Sequence, residues 1–209
     1  MKIGMETNET TVEQRIVAAA KQVFIEKGFA ETCMNDIAVR AGINRSGLHY
    51  YFRTKERMFE AVYADIVFSF IPTIHDIIMR ESPVREKLSE IVDVYFALFG
   101  KEPGYPLFLV RELQRNADYV LSTVHKLEVE KYALSAVDRL RSGMVAGEIR
   151  TMPVEFIVYS FFGLVTVPFM SKPLVERVGL SGGRNFEESL PEWKECVMRQ
   201  MMFLLTGEE

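Results

Sequence analysis

Apolar residues recur at intervals of three and four along nearly the whole chain, and the sequence shows no runs that alternate apolar with polar residues. The first spacing places apolar side chains on one face of an α-helix, whereas alternation is the pattern of a half-buried β-strand. The sequence therefore predicts an all-α protein. With 209 residues, of which 48% are hydrophobic, the chain is long enough for one large or two small domains with a real core.

Cap and turn signals divide this helical pattern into elements. Two pairs with capping-box spacing, Thr10 with Glu13 and Thr11 with Gln14, mark the start of a first helix, and Gly28 marks its end. Prolines and polar loops predict the later boundaries, because proline cannot continue a regular helix without loss of a hydrogen bond. These signals are Pro72, Pro83, Pro106, the capping-box spacing of Ser189 with Glu192, and breaks at residues 101–104, 142–153 and 172–184.

Residues 33–52 contain two short helical segments on either side of Ala41-Gly42-Ile43. Two short helices joined by a glycine-bearing turn of this length are typical of a helix-turn-helix. Leu48 and Phe52 belong to the predicted buried face of the second segment. The residues that remain exposed there, and are free to meet a groove of DNA, are Arg45, Ser46, Gly47, His49 and Tyr50.

The formal net charge of −4 conceals a basic segment at residues 40–57. This segment holds five basic residues and one acidic residue, with His49, Tyr50 and Tyr51 among them. Basic and aromatic residues clustered in this way are the footprint of a helix that meets phosphates. The remainder of the chain is acidic, so the sequence predicts that DNA contact is confined to the N-terminal part.

Two cations of the basic segment stand where helix electrostatics disfavours them. Arg45 falls in the first turn of the second motif helix, and Lys55 falls in the first turn of the helix that follows. A cation at the positive end of a helix dipole costs about 0.3–1 kcal/mol. A phosphate beside such a helix end would turn this cost into an attraction, so both residues are predicted to contact DNA.

The stretch from Asp36 to Glu56, DIAVRAGINRSGLHYYFRTKE, resembles the DNA-binding signature of the tetracycline-repressor (TetR) family of bacterial transcription regulators. The Ile-Ala pair, Ala-Gly-Ile, the aromatic run and Lys-Glu all stand at the family's spacing. The resemblance implies an N-terminal three-helix helix-turn-helix DNA-binding domain over residues 10–70, with its motif at 33–52. It also implies a larger C-terminal helical domain for ligand binding and dimerisation over residues 71–209. The residues that match the family's DNA contacts are Met34, Asn35, Arg45, Ser46, Gly47, His49, Tyr50, Tyr51 and Lys55.

Two positions depart from the pattern of this family. Cys33 and Met34 occupy places where the family often has a Thr or Ser that caps the helix and touches a phosphate. Thr32 is therefore expected to provide the cap instead. His49 stands where the family usually has Tyr.

The segment at residues 156–170 is apolar around its whole circumference, and the final helix carries a second apolar face. A helix that is apolar all round must be covered on both sides, either by the chain's own core or by a second copy in a four-helix bundle. The segment is shorter than the ~20 residues that span a membrane, so we interpret it as a buried helix. In the TetR family the last two long helices form the dimer. The expected dimer residues are Phe156, Ser160, Gly163, Leu164, Val167, Trp193, Val197, Met201 and Leu204.

The resemblance implies a ligand-responsive repressor that binds a palindromic double-stranded DNA operator as a homodimer and is released by a small-molecule effector. The alternative is a helix-turn-helix protein that organises the chromosome without regulating a promoter. Met and aromatic residues between positions 59 and 170 suit an apolar effector cavity, although such residues more often form plain core. The polar residues predicted to contact the effector are His75 and His125.

Other classes of protein are disfavoured by what the sequence lacks. No nucleophile elbow, metalloprotease motif, P-loop or dinucleotide fingerprint is present, so no enzyme activity is expected. Cys33 and Cys196 lie in no metal-binding cluster, and no cofactor or metal is expected. The first fifteen residues contain no apolar leader, which predicts a cytoplasmic protein, and the family resemblance implies a bacterial one that acts at the nucleoid.

Overall fold

The computed structural model describes residues 11–180 and 182–207, and every regular element in these residues is an α-helix. The all-α prediction is confirmed. The helices form two compact units, Met1–Val67 and Phe68–Glu209, each with its own core.

The first unit contains three helices and nearly all of a fourth: α1 (Val12–Glu31), α2 (Met34–Ala41), α3 (Arg45–Tyr51) and α4 (Lys55–Phe68). Of the two predicted capping pairs, Thr11 with Gln14 forms the box, in which each residue's N–H donates to the other's side chain. Thr10 lies outside the described residues. The side chains at the centre of this unit's core are Ile16, Phe24, Ile37, Leu48, Met58 and Phe59.

Gly28 interrupts α1 with a φ of 79°, a conformation that glycine adopts without strain. One further turn follows, and Thr32 ends it by donating both its N–H and its hydroxyl to the Gly28 carbonyl, at 3.3 and 2.7 Å. The ring of Phe29, beyond the interruption, packs edge-on against Phe59 of α4 with 5.3 Å between ring centroids. The end of α1 is thereby fixed against the first half of α4.

The second unit contains seven helices. They are α5 (Ile71–Met79), α6 (Val84–Lys101), α7 (Tyr105–Arg115), α8 (Ala117–Lys126), α9 (Glu130–Val145), α10 (Val154–Val178) and α11 (Phe186–Thr206). As predicted, Pro72 and Pro106 stand in the first turns of α5 and α7, and Pro83 immediately precedes α6. An aromatic layer on α6 and α10 forms the centre of the core, with Tyr95, Phe99 and Phe169 all buried.

Two predicted boundaries near the C-terminus differ from the structure. The break predicted to begin at residue 172 is wrong at its start, because α10 continues through Pro168 and Pro173 and ends at Gly179, whose φ is 74°. The capping box of the last helix is formed by Asn185 and Glu188, so this helix begins at Phe186 rather than at Ser189. A cap needs an N-cap residue with extended backbone, and Asn185 provides it with a ψ of 146°.

Within the described residues, Lys55–Met79 and Val154–Val178 are helical stretches long and apolar enough to cross a membrane by composition alone. The first is interrupted at Ser69 and Phe70, and its α4 portion supplies core residues of the first unit. The second is α10. Within one chain, Ile157, Val165 and Phe169 of this helix are buried and one face is open, so its predicted burial on both sides requires a second copy.

Candidate DNA-binding surface and ligand cavity

The helix-turn-helix is formed by α2, the turn at residues 42–44 and α3. Gly42 ends α2 with a φ of 68°, and Asn44 begins α3 by accepting a hydrogen bond from the Gly47 N–H at 2.7 Å. Leu48 is fully buried and anchors α3 from its inner side. A Cβ added to Gly47 would lie 3.2 Å from Asn44 Oδ1, which is closer than an ordinary contact, so glycine at this position also protects the helix cap.

The outer side of α3 is open to solvent. Arg45, Ser46 and His49 are exposed, and the Tyr50 side chain is 82% exposed and meets Tyr51 edge-on at 5.2 Å. On α2, Asn35 is exposed and Met34 is half-buried, as is Gly47 on α3. The predicted base contacts of α3 therefore lie on one accessible helix face, which is the geometry that a major-groove helix requires.

The charges of the basic segment divide into paired and open ones. Arg40 makes two hydrogen bonds with the carboxylate of Glu26, at 2.9 and 2.8 Å, and these hold the pKa of Glu26 below its ordinary value. Arg57 lies 3.5 Å from a carboxylate oxygen of Glu60. Arg45 and Arg53 are exposed and form no ion pair among residues 11–180 and 182–207. Open cations are the ones available to phosphates or base edges without loss of an internal pair.

Lys55 is held by the end of α1. Its ammonium donates to the carbonyls of Phe29, Thr32 and Ala30, at 2.8, 2.9 and 3.4 Å, and lies 4.5 Å from the centroid of the Phe29 ring. The last carbonyls of a helix carry partial negative charge, so a cation that is unfavourable at the start of α4 is stabilised at the end of α1. The structure thus gives Lys55 an intramolecular partner, and its phosphate contact stays a prediction.

The prediction that Thr32 caps α2 is wrong, since Thr32 is the last residue of the α1 cap. The N-cap position of α2 belongs to Cys33, whose N–H donates to Asp36 Oδ2 at 3.2 Å. Lys27 donates to the same oxygen at 3.0 Å and lowers the pKa of Asp36. Asp36, three positions further on, thus satisfies the backbone N–H of the N-cap residue.

The second unit encloses a cavity of about 410 Å³ between α5, α6, α9, α10 and α11. Its wall is mainly aliphatic and aromatic, with Ile74, Leu88, Ile91, Leu140, Ile157 and Phe161 among its residues. Its polar lining includes His75, Lys87, Arg139 and Glu148. A cavity of this size, mostly apolar with a few polar groups, is typical of a site for a small molecule.

The two predicted effector contacts have different surroundings. His75 lines the cavity, with Nε2 2.9 Å from Ser135 Oγ and its ring edge-on to Tyr132 at 5.2 Å. The His125 side chain is 86% exposed, and Nδ1 lies 2.7 Å from Glu130 Oε1. The prediction for His125 is wrong: it stands in the exposed last turn of α8, and burial could not be deduced from its place in the sequence.

The predicted dimer residues fall into three groups. Phe156, Gly163 and Val167 are exposed on α10, whereas Ser160, Leu164, Trp193 and Leu204 are half-buried. Val197 and Met201 are 0% and 1% exposed, so the prediction that they face a second copy is wrong. They fill the core of their own unit, and Trp193 Nε1 donates to the Leu164 carbonyl at 3.0 Å within the same chain.

A stripe of exposed residues nevertheless runs along α10 at intervals of three and four. It consists of Phe156, Tyr159, Gly163 and Val167, with exposed fractions of 54% for Phe156, 69% for Tyr159 and 54% for Val167. We call these four residues the α10 stripe. Tyr159 is not among the dimer residues predicted from the sequence. Periodicity does not distinguish it from the buried residues of α10, because most of its neighbours in the sequence are apolar.

The chain is similar in sequence and in fold to known bacterial proteins. The chain is 24% identical over 153 residues to the fatty acid metabolism regulator protein of Bacillus subtilis (strain 168), covering 72% of this chain and 78% of that protein. It is 24% identical over 187 residues to the nucleoid occlusion factor SlmA of Mannheimia succiniciproducens, covering 80% and 86%. Its fold is similar to that of the transcriptional regulator FadR from Bacillus subtilis in complex with stearoyl-CoA, with a TM-score of 0.65, 20% identity and coverage of 93% and 98%.

Residues 16–62, which contain the whole helix-turn-helix, match the model of bacterial regulatory proteins of the tetR family. The N-terminal unit is therefore similar to the DNA-binding domain of that family and contains a helix-turn-helix. In it, α3 occupies the place of the recognition helix.

One exposed cation of the N-terminal unit is absent from the residues that match the family's DNA contacts. Arg53 lies in the loop between α3 and α4, beside the recognition helix in sequence, and is open. Its sequence signal is its place in the basic segment. We expect Arg53 to be a phosphate contact, the part that the signature gives to Lys55.

Lys55→Met should destabilise the N-terminal unit by about 1–2 kcal/mol, because it removes charged hydrogen bonds to helix-end carbonyls while keeping most of the side chain's bulk. Urea unfolding followed by far-UV circular dichroism measures this loss. The matched control is Arg57→Met on the same helix, whose exposed ion pair should contribute less than about 1 kcal/mol. Unchanged stability combined with weaker binding to every DNA sequence would instead assign Lys55 to a phosphate.

Proposed function

We propose that the protein is a ligand-responsive repressor that binds a palindromic operator as a homodimer and is released by a small-molecule effector. The observation that carries the proposal is the cavity of about 410 Å³ in the second unit. The cavity is partly open to the surface, and its mainly apolar wall is unfavourable in contact with water. An effector that occupies this space offsets that cost.

Homodimerisation is supported by the α10 stripe. A helix face with Phe156, Tyr159 and Val167 exposed is unfavourable in water unless another surface covers it. Gly163 lies in the middle of the stripe, and nothing lies within 4 Å of the point where its Cβ would be, so a second helix can approach closely there. A two-fold dimer would present two recognition helices to half-sites one turn of DNA, about 34 Å, or more apart.

The chemistry of the cavity supports an apolar effector with a fatty acyl chain. The wall is mainly aliphatic and aromatic, so alkyl groups are its natural occupants. The Bacillus subtilis structure with the same fold is a complex with stearoyl-CoA, and the relative from that organism is named for fatty acid metabolism. We therefore propose acyl compounds as the effector class and the control of fatty acid metabolism as the biological setting, in the bacterial cytoplasm at the nucleoid.

The chain connectivity offers a route by which the effector changes DNA binding. Ile71, Ile74 and His75 of α5 line the cavity, and Ser69 and Phe70 are the only residues between α5 and the end of α4. An effector that binds one arrangement of α5 more tightly than another shifts the population of the two arrangements in proportion to that difference. No such shift occurs if both arrangements bind the effector equally.

The proposal is tested by fluorescence anisotropy of the purified protein on the DNA upstream of its own gene, with and without saturated acyl-CoA esters. We expect the acyl compound to weaken binding to this DNA by about tenfold or more, which corresponds to a coupling free energy in the usual range of 1–3 kcal/mol. A chromosome-organising protein would bind many genomic sites with affinities that the acyl compound leaves unchanged. The similarity to a nucleoid occlusion factor is the reason to test for a chromosome-organising protein. The cavity favours the ligand-responsive repressor.

A further inference from the structure

The mainly apolar wall of the cavity contains one charged cluster, formed by Lys87 of α6, Arg139 of α9 and Glu148 in the segment after α9. Arg139 Nη2 donates to Glu148 Oε2 at 2.8 Å, and the charges of both residues influence Lys87. Among the charged residues that line the cavity, two are cations and one is an anion, so the lining carries an excess of one positive charge. This excess would attract the negative head group of a ligand bound in the cavity.

The ion pair of this cluster is packed over Gly143. This residue is buried, and a Cβ built on it would lie 3.4 Å from both Arg139 Nη1 and Glu148 Oε2. The two charged groups are thus in contact distance of the backbone at position 143, beside the cavity. Glu148 already neutralises Arg139, so the charge that is not balanced belongs to Lys87.

Lys87 lacks a close anionic partner. Within the described residues its ammonium makes a single long hydrogen bond, to the Ile78 carbonyl at 3.4 Å. Burial and then the nearby Arg139 lower the pKa of Lys87, while Glu148 and Glu81 act in the opposite direction. The charged form of Lys87 is thus less favourable beside this wall than in water, and an anion bound next to it would stabilise that form.

We propose that Lys87, assisted by Arg139, binds the anionic head of an amphiphile whose alkyl chain fills the cavity. The inference rests on the proposed function, since it takes the cavity to be the effector site, and adds the charge of the effector. The simplest ligand is a fatty acid carboxylate, whose one negative charge equals the excess charge of the cluster. An acyl-CoA ester shares the acyl chain but carries its negative charges beyond the thioester, so the two sources can be told apart.

Glu148 gives this proposal a signature that a purely structural cluster would lack. Its carboxylate competes with the ligand's anionic head for Arg139. Removing the charge in Glu148→Gln therefore frees Arg139 and should tighten the binding of an anionic ligand, whereas Lys87→Met should weaken it. Both variants keep the approximate size of the side chain, and the two effects have opposite signs.

Isothermal titration calorimetry of the full-length protein provides the test, with dodecanoate, methyl dodecanoate, dodecyltrimethylammonium and dodecanoyl-CoA as probes below their micelle concentrations. We expect dodecanoate to bind about tenfold more tightly than its methyl ester, and the cationic amphiphile to bind most weakly. Lys87→Met should abolish the preference for dodecanoate over the ester, and Glu148→Gln should increase it by about threefold or more. Lys101→Met, an exposed lysine at the end of the same helix, is the matched control and should change neither affinity.

The probes separate failure of this inference from failure of the proposed function. Equal binding of dodecanoate and its methyl ester by the unmodified protein would overturn the anionic subsite while leaving the acyl effector in place. The result would also overturn the subsite if dodecanoyl-CoA bound more tightly than dodecanoate and Lys87→Met left its affinity unchanged. The effector would then be an acyl thioester, whose head group does not contact Lys87. Absence of binding by all four probes would overturn the subsite and the acyl effector together. If circular dichroism shows that Lys87→Met does not fold, Glu148→Gln provides the test. Unchanged affinity of that variant for dodecanoate would overturn the anionic subsite.

Discussion

Tyr159→Glu combined with Val167→Glu should convert the regulator from a dimer to a monomer and lower its affinity for a palindromic operator by about a hundredfold or more. A two-fold interface uses the same patch on both subunits, so every carboxylate placed in it meets its own symmetry mate or a neighbour of like charge. Burial of unpaired carboxylates adds a desolvation cost that few interfaces can offset. Without the dimer, the second half-site no longer contributes to binding.

Sedimentation velocity measures the loss of the dimer, and fluorescence anisotropy on one and two half-sites measures the loss of affinity. Affinity for a single half-site should stay within about twofold, because the substitutions leave the recognition helix intact. Leu121→Glu is the matched control, since Leu121 is 58% exposed on α8 and lies outside the α10 stripe. A double variant that remains dimeric at micromolar concentration would show that a surface other than the α10 stripe forms the dimer interface.

The difference between the predicted and observed faces of α10 and α11 has a physical origin. Both helices are so rich in apolar residues that periodicity does not distinguish the core face from a face that covers a second copy. Val197 and Met201 satisfy the pattern of a dimer stripe, yet they are buried in the chain's own core. The helical class and the helix-turn-helix were predictable because the spacings that define them are local. Which apolar face remains open depends on tertiary packing.

Arg45 and Lys55 show how one sequence signal can have two physical outcomes. Each is a cation in the first turn of a helix, where the dipole disfavours it. Lys55 is stabilised by carbonyls at the end of α1, more than twenty positions earlier in the chain, and this contact is invisible to local sequence reasoning. Arg45 has no ion-pair partner among the described residues and stays in solvent. The unfavourable dipole interaction of Lys55 is thus offset inside the protein. That of Arg45 can be offset by a DNA phosphate.

The charged cluster of the cavity could not be predicted because its members are distant in sequence. Lys87 lies near the start of α6, Arg139 in the second half of α9 and Glu148 after its end. Each alone resembles an ordinary surface charge on an amphipathic helix. Packing of α5, α6 and α9 brings them to one wall, with the ion pair packed over Gly143.

Arg45→Ala should cost about 1–3 kcal/mol per half-site and relax sequence choice at the base pair that Arg45 contacts. The dimer makes this contact twice, so the loss on a full operator should be about 2–6 kcal/mol. The guanidinium is exposed at the start of α3, where a side chain can reach guanine O6 and N7 with two hydrogen bonds. Methionine or lysine at this position cannot reproduce the paired donors, so neither should restore the specificity.

Arg53→Ala is the matched comparison, because Arg53 is equally open but lies in the loop after α3. A phosphate contact contributes to binding on any sequence, so Arg53→Ala should weaken operator and random DNA by the same factor and reduce the salt dependence of log K by about one unit per half-site. Arg45→Ala should instead weaken operator binding far more than binding to random DNA. Competition anisotropy with operator and scrambled duplexes at several salt concentrations separates the two. Equal losses on both duplexes for Arg45→Ala would make it a phosphate contact, and the base-specific contacts would then fall to other exposed residues of α3, among them His49 and Tyr50.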